Sequence, residues 1–141
     1  MINWMIAAIL CASPAHAKQV EKTLEWKGQH GGPIDAGAEV AADARAWTRL
    51  WRTLGQDAPP LNFKTHFAVA VFAGERPTGG YTVEFLKPIP RGMDLTVRYK
   101  IKTPTGFTTQ VISRPWTVRA FTRVKGKIFV VPVPPDEAAP K

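Results

Sequence analysis

The chain has 141 residues and one cysteine, Cys11, which excludes an intrachain disulfide, and its length is sufficient for one domain with its own apolar core. Its formal net charge of +8 comes from residues 95–135, which contain eight basic residues and no acidic one, while the rest of the chain is balanced. A positive field of this kind either favours an acidic partner or belongs to a solvated basic face that only aids solubility.

Residues 1–17 have the pattern of an export signal. They contain no charged side chain, are apolar over residues 4–12, and end in the small-residue pattern Ala-His-Ala. We predict cleavage after Ala17 and a periplasmic or secreted location. The apolar run is about half as long as a membrane-spanning helix requires, so we expect no stable membrane span in the mature form. A retained membrane anchor, a lipid anchor on Cys11 and a misassigned start are the alternatives.

The mature chain is predicted to form one β-rich domain over residues 18–133. Residues 20–27 read as a strand, and residues 28–33 (GQHGGP) have the composition of a loop. Residues 41–54 are predicted to form a helix with one apolar face, begun by Asp43 and ended before Gly55. We expect that face to pack on a sheet; it consists of Trp47, Leu50, Trp51 and Leu54.

The rest of the domain is predicted to consist mainly of strands. Residues 66–73 (HFAVAVFA) are nearly all apolar, which is typical of a strand buried on both faces. Lys125-Gly126 is predicted to form a tight turn between two strands. The fold class is α+β, mostly antiparallel β: a small sandwich or barrel of six to seven strands with one packing helix, and a disordered proline-rich tail at residues 134–141. Further strands are predicted at residues 81–86, 95–102, 108–113, 117–124 and 127–133.

Groups for catalysis are scarce in the mature chain, which has one serine, Ser113, two histidines, His30 and His66, and no cysteine. A catalytic nucleophile needs a base beside it, and His30 with Asp35 supplies fewer ligands than a zinc site uses. We therefore predict no enzymatic activity, no catalytic residues, no metal and no cofactor.

The sequence contains two candidate binding surfaces. In RPTGGY, residues 76–81, a proline and two glycines can form a rigid loop, which is either a binding site or only a turn. A tryptophan just after a proline at a strand entrance, as at Trp116, is usually packed in the core or at an edge, but tryptophan and arginine are also frequent at the centres of protein interfaces. The candidate protein-binding residues are Arg76, Pro77, Thr78, Gly79, Gly80, Tyr81, Arg114 and Trp116.

The second surface is basic. Strand 95–102 alternates apolar residues with basic ones, so it predicts a basic outer face. An acidic protein, lipopolysaccharide or anionic lipid is the expected partner, and export argues against nucleic acid. The candidate residues for an anionic surface are Arg98, Lys100, Lys102, Arg119 and Arg123.

Several segments together resemble a known family. They are AWTRLWRTL from residue 46, LNFKTHFAVAVFAGERPTGGYTVEF from residue 61, Pro104 in KTPTGF, and VISRPWTVRAFTRVKGKIFV from residue 111. These segments, within residues 43–131, resemble the PrcB C-terminal domain family, named for a subunit of a bacterial surface protease complex. The most specific part of the resemblance is GERPTGGY. The chain departs from the family pattern at Asn62, where the family often has Asp. The resemblance implies an accessory or stabilising subunit of a secreted protease or envelope assembly, and no catalytic residues.

A fainter resemblance concerns two short segments. RPTGG at residues 76–80 and Arg-Pro-Trp at residues 114–116 are similar to loops of chagasin-type peptidase inhibitors, although the Gly-rich middle loop of those inhibitors has no counterpart here. This resemblance implies a peptidase inhibitor. That alternative, and a binder of anionic envelope polymer, remain beside the main prediction of a non-enzymatic domain that binds another protein, of which a secreted protease is one example.

Overall fold

A computed structural model describes residues 24–134 of the chain. The predicted export signal, the first residues of the predicted first strand and residues 135–141 of the predicted tail lie outside this range. The described part contains eight strands and one helix. In chain order they are β1 (Glu25–Gly28), β2 (Gly37–Ala41), α1 (Ala44–Thr53), β3 (His66–Phe72), β4 (Thr82–Phe85), β5 (Ile89–Arg91), β6 (Asp94–Lys102), β7 (Trp116–Thr122) and β8 (Ile128–Pro132).

The strands form two four-stranded sheets. The first sheet is antiparallel, with the order β1-β7-β3-β2. In the second sheet β6 pairs antiparallel with β4 and β5, and parallel with β8. The first sheet packs on α1 with one face and on the second sheet with the other. The predicted α+β class, a mostly antiparallel sandwich with one packing helix, is confirmed.

Helix α1 begins and ends where the sequence predicts. The Asp43 carboxylate accepts a hydrogen bond of 2.8 Å from the Ala46 N–H, and Gly55, with φ +73°, follows the last turn. Trp47 and Trp51 are buried against the first sheet, with their ring centroids 5.5 Å apart in an edge-to-face arrangement. The two tryptophans of α1 are therefore part of the core.

Strand β3 lies at the centre of the fold. Its even-numbered residues from Ala68 to Phe72 face the tryptophans of α1, and its odd-numbered residues from Phe67 to Val71 face the second sheet. All six are buried. Both faces are covered by apolar layers, which explains why this strand reads as a continuous apolar run.

The prediction of a strand at residues 108–113 is wrong. Threonine, valine and isoleucine favour strands, but no strand of the described range lies beside this segment, and Pro104 and Pro115 flank it. Only Ser113 pairs, in an isolated bridge with Arg76. The segment is instead part of a long loop between β6 and β7.

The chain bends at Lys125-Gly126, as predicted, but the strands on either side of the bend do not pair with each other. β7 and β8 lie in different sheets, and the connection between them is held by the turn before β6: the Gly126 N–H donates to the Met93 carbonyl at 2.8 Å, and the Lys127 N–H donates to the Asp94 carboxylate at 2.8 Å. The sequence did not predict β2 or β5, which are short and contain small residues or proline.

Candidate functional site at the loop end of the sandwich

Three loops meet at one end of the sandwich, which we call the three-loop end: residues 29–36, 73–81 and 103–115. The second and third are joined by main-chain hydrogen bonds. The Arg76 N–H donates to the Ser113 carbonyl at 2.8 Å, the Ser113 N–H donates back at 2.9 Å, and the Gly79 N–H donates to the Thr109 carbonyl at 3.1 Å. RPTGGY is therefore braced by a neighbouring loop.

Gln29 connects all three loops. Its side-chain N–H donates to the Tyr81 carbonyl at 2.6 Å, and its side-chain oxygen accepts from the Gly80 N–H at 3.0 Å. Its own carbonyl accepts from the Arg114 N–H at 2.9 Å. Gln29 was not predicted from the sequence, because a single glutamine in a loop has no pattern that distinguishes it.

Most residues of RPTGGY are engaged within the fold. The Arg76 guanidinium lies 5.0 Å from the centroid of the Tyr81 ring, and its Nε donates to the Ala73 carbonyl at 3.1 Å. The Thr78 carbonyl accepts from the Ser113 hydroxyl at 2.7 Å, and Gly79 is buried. Gly80 has φ +92°, and a Cβ there would lie 2.7 Å from the Pro104 Cβ. Only Pro77 and Gly80 are exposed.

Arg114 and Trp116 occupy different environments. The Arg114 guanidinium donates from Nη2 and Nε to one Glu75 carboxylate oxygen, at 2.9 and 3.2 Å, and both side chains are about two-fifths exposed. Trp116 is 3% exposed, packs on Trp51 with centroids 5.5 Å apart, and donates its indole N–H to the His30 carbonyl at 2.8 Å. Arg114 therefore lies on the surface of the three-loop end, whereas Trp116 belongs to the core and offers no exposed ring to a partner.

Large apolar side chains are exposed on two of the three loops. Phe107 is fully exposed, and Val111 and Ile112 are 56% and 59% exposed. Ile34, on the first loop, is 58% exposed, and its carbonyl accepts from the Glu75 N–H at 2.9 Å. We call these four residues the apolar tips. Three of the four lie on one loop, and several exposed apolar side chains on one segment often mark a site of protein interaction. The three on residues 103–115 were not predicted, since part of that loop was predicted to be a strand.

Three of the five basic candidates share one surface. Leu95 and Val97 of β6 face the core, so the alternating residues Arg98, Lys100 and Lys102 face outward from the second sheet. The Lys100 and Lys102 ammonium groups lie 3.6 and 3.8 Å from one Glu84 oxygen, and Arg98 donates to the Lys87 carbonyl at 3.1 Å.

The other two basic candidates lie elsewhere. Arg119, on β7 of the first sheet, lies beside the Phe121 ring, 5.4 Å from its centroid. Arg123 donates to the carbonyls of Phe63 and Ala42, at 2.9 and 2.5 Å, and so fixes the segments before β3 and α1. The five basic residues therefore do not form one continuous surface.

The described residues contain no group of three or more His, Cys, Asp or Glu side chains that could hold a metal ion. His66 Nδ1 lies 2.8 Å from the Thr65 hydroxyl, which gives this histidine a local partner. Within residues 24–134, no helix has the length and apolar character that crossing a membrane requires.

These features define a small helix-covered β-sandwich with braced loops at one end. The PrcB C-terminal family model matches residues 67–121, from β3 to β7, and this match supports the resemblance that the sequence predicts. The match includes the RPTGGY loop and the long loop that braces it. No curated protein and no solved structure matches the chain, and no comparison supports the resemblance to chagasin-type inhibitors.

Proposed function

We propose that this domain is a non-enzymatic accessory subunit that binds another protein of the cell envelope through the three-loop end. The partner we favour is a secreted or envelope protease or its assembly, because the family takes its name from a subunit of such a complex. Export by residues 1–17 is part of the proposal, since it brings the domain into the same compartment as that partner.

The exposure of the apolar tips on braced loops is the observation that carries this proposal. Phe107 exposes its whole side chain, while the loop beneath it is fixed by the Arg76–Ser113 bridge and the Gly79–Thr109 hydrogen bond. A surface that is already ordered loses less conformational entropy on binding than a flexible one. Burial of a phenylalanine side chain contributes about 1.5 to 3 kcal/mol.

An exposed ion pair at the same end can accommodate an acidic group of the partner. Arg114 is partly exposed beside the tips, and Glu75 neutralises it through an ion pair that is open to solvent. Such pairs are weak and exchange readily for a carboxylate of a partner. The tips therefore supply affinity, and Arg114 supplies orientation.

The inhibitor alternative is less well supported. It requires Trp116 to enter the cleft of a peptidase, but the indole is buried and hydrogen-bonded to the His30 carbonyl. Extraction of this ring would open a cavity in the core, which costs about 3 to 5 kcal/mol for a tryptophan.

The test compares three full-chain proteins in capture from the envelope of the producing cells. Wild type, Phe107→Ser and Met93→Ser are each immobilised, and retained proteins are identified by mass spectrometry at low and high salt. Met93 is the matched control, because it is 66% exposed but lies in the turn between β5 and β6 at the opposite end.

The proposal expects wild type and Met93→Ser to retain a protease or a subunit of a protease assembly, and Phe107→Ser to lose it. Retention of the same proteins by all three would overturn the proposed surface. Retention of anionic material alone, released by salt, would favour the basic surface of β6 instead.

A further inference from the structure

Three large apolar side chains are exposed on the outer face of the second sheet. Ile89 of β5 and Phe129 of β8 both lie opposite Thr96 of β6, and Val131 of β8 lies opposite Arg98. Residues opposite each other share a face of the sheet, and alternation along β6 places Thr96 and Arg98 on the face away from the core. Ile89, Phe129 and Val131 are 40%, 48% and 41% exposed, and we call them the outer patch.

Strand β8 is apolar on both faces, although residues 24–134 cover only one of them. Ile128 and Val130 pack against the core between the sheets, whereas Phe129 and Val131 are exposed. A strand with one solvated face normally alternates apolar with polar side chains, as β6 does. The outer patch departs from this pattern and therefore suits contact with apolar material.

Positive charge borders the outer patch along β6. Arg98, Lys100 and Lys102 lie on the same outer face, and the two ammonium groups lie 3.6 and 3.8 Å from one Glu84 oxygen. The Arg98 guanidinium donates to a main-chain carbonyl, which leaves its charge in place. One carboxylate cannot neutralise three cations, so this part of the face keeps a net positive charge.

The charges and the apolar side chains together favour a lipid surface as the partner. At the far end of the face, Arg91 and Asp94 lie opposite each other and offset one another. A second copy that used the same face would bring basic residues against basic or apolar ones, which opposes a symmetric dimer. Lysine is depleted at protein interfaces. Binding to a membrane surface, by contrast, grows with buried apolar area and with the attraction of basic residues to anionic headgroups.

We propose that the outer face of the second sheet binds an anionic lipid surface. The outer patch enters the boundary between headgroups and acyl chains, and the basic residues of β6 contact the lipid phosphates. The apolar tips lie on loops at the end of the sandwich and are not part of this face. The inference therefore stands whether or not the three-loop end binds a protein.

The test measures sedimentation of the protein, as purified from its producing cells, with lipid vesicles. One set of vesicles contains phosphatidylcholine alone, and the other contains equal amounts of phosphatidylcholine and phosphatidylglycerol. Wild type is expected to bind the anionic vesicles roughly tenfold more tightly than the neutral ones. The difference is expected to shrink as salt is added, because salt screens the attraction between basic residues and headgroups.

Two pairs of variants locate the contact. Phe129→Ser is expected to weaken binding to anionic vesicles roughly fivefold or more, because it removes apolar area that the lipid would bury. Phe107→Ser removes an exposed ring at the three-loop end and is expected to leave vesicle binding unchanged. Lys102→Glu is expected to weaken binding roughly tenfold or more, because it replaces attraction by repulsion. Lys64→Glu makes the same change of charge in the exposed segment before β3, and its effect is expected to stay within about twofold.

Circular dichroism of all four variants checks that each is folded. Equal binding of wild type to the two kinds of vesicle would overturn the proposal. So would binding to anionic vesicles that Phe129→Ser and Lys102→Glu leave unchanged, since the contact would then lie elsewhere. Absence of vesicle binding, together with capture from the envelope of an acidic protein that Phe129→Ser loses, would overturn the lipid surface in favour of a protein partner.

Discussion

Two neighbouring loops at one end of this molecule differ in how they use their residues. The RPTGGY loop directs its carbonyls, its guanidinium and Gly79 into contacts with the fold, and only Pro77 and Gly80 of it are exposed. The loop of residues 103–115 accepts those contacts and exposes Phe107, Val111 and Ile112. The most recognisable segment of the sequence is thus a brace, and the exposed apolar side chains belong mainly to the loop that it braces.

This difference divides the expected effects of substitution. Changes in RPTGGY are expected to lower the free energy of unfolding, because they disturb the hydrogen bonds and contacts that join the two loops. Changes at the apolar tips are expected to alter binding without altering stability.

Gly80→Val is expected to destabilise the domain by about 2 to 4 kcal/mol. Gly80 has φ +92°, which a β-branched residue adopts only with strain, and its Cβ would meet Pro104. Urea unfolding followed by tryptophan fluorescence measures the change. Gly37→Val is the control, because no atom lies within 4 Å of a Cβ there and its φ is not in the left-handed region. An equal loss in the two variants would contradict the strain account.

Ser113→Ala is expected to cost about 1 to 2 kcal/mol. Its hydroxyl is buried and donates to the Thr78 carbonyl at 2.7 Å, so the variant leaves that acceptor without its partner. The same unfolding experiment measures the loss. Thr53→Ala, which removes an exposed hydroxyl bonded to the Arg49 carbonyl, is expected to change stability less. A neutral Ser113→Ala would mean that the hydroxyl does not brace the loop.

Arg114→Gln is expected to cost less than about 1 kcal/mol, because its ion pair with Glu75 is exposed to solvent. Unfolding at low and high salt separates the electrostatic contribution of this side chain from its packing contribution. The difference between wild type and variant should shrink as salt is added. A large difference that salt does not reduce would assign Arg114 a packing role rather than an electrostatic one.

Phe107→Ser is expected to leave the free energy of unfolding within about 0.5 kcal/mol of wild type, as is usual for a surface substitution. Phe107 is fully exposed, so its removal opens no cavity. Parallel measurements of unfolding and partner capture check this, and capture alone should fall. A large loss of stability would place the ring within the fold and would remove the contrast between the two loops.

The spacing of apolar residues, together with the residues that begin and end the helix, predicted the main elements of the core. The apolar spacing from Trp47 to Leu54, with Asp43 before it and Gly55 after it, predicts α1, and the continuous apolar run predicts the central strand β3. Residues 108–113 were mispredicted, since strand propensity does not show whether a neighbouring strand exists to pair with. The parallel pairing of β8 was missed for the same reason, because it depends on contacts between distant parts of the chain.

The site was predictable only in part. RPTGGY is visible as a motif, but the sequence cannot show that Gln29, more than fifty residues earlier, holds its main chain. Nor does it show that Trp116 is buried while Phe107 is exposed, because both are single aromatic residues in proline-containing segments. Burial follows from the tertiary packing of β7 on α1, which local sequence does not encode.

The most direct test of the central claim is photo-crosslinking in the producing cells, with a benzophenone side chain placed at position 107 in one protein and at position 93 in another. Contact through the apolar tips predicts an adduct at position 107 that contains a protease or a subunit of its assembly, and no such adduct at position 93. An adduct with that partner at position 93 alone would contradict the claim that the three-loop end is the contact surface.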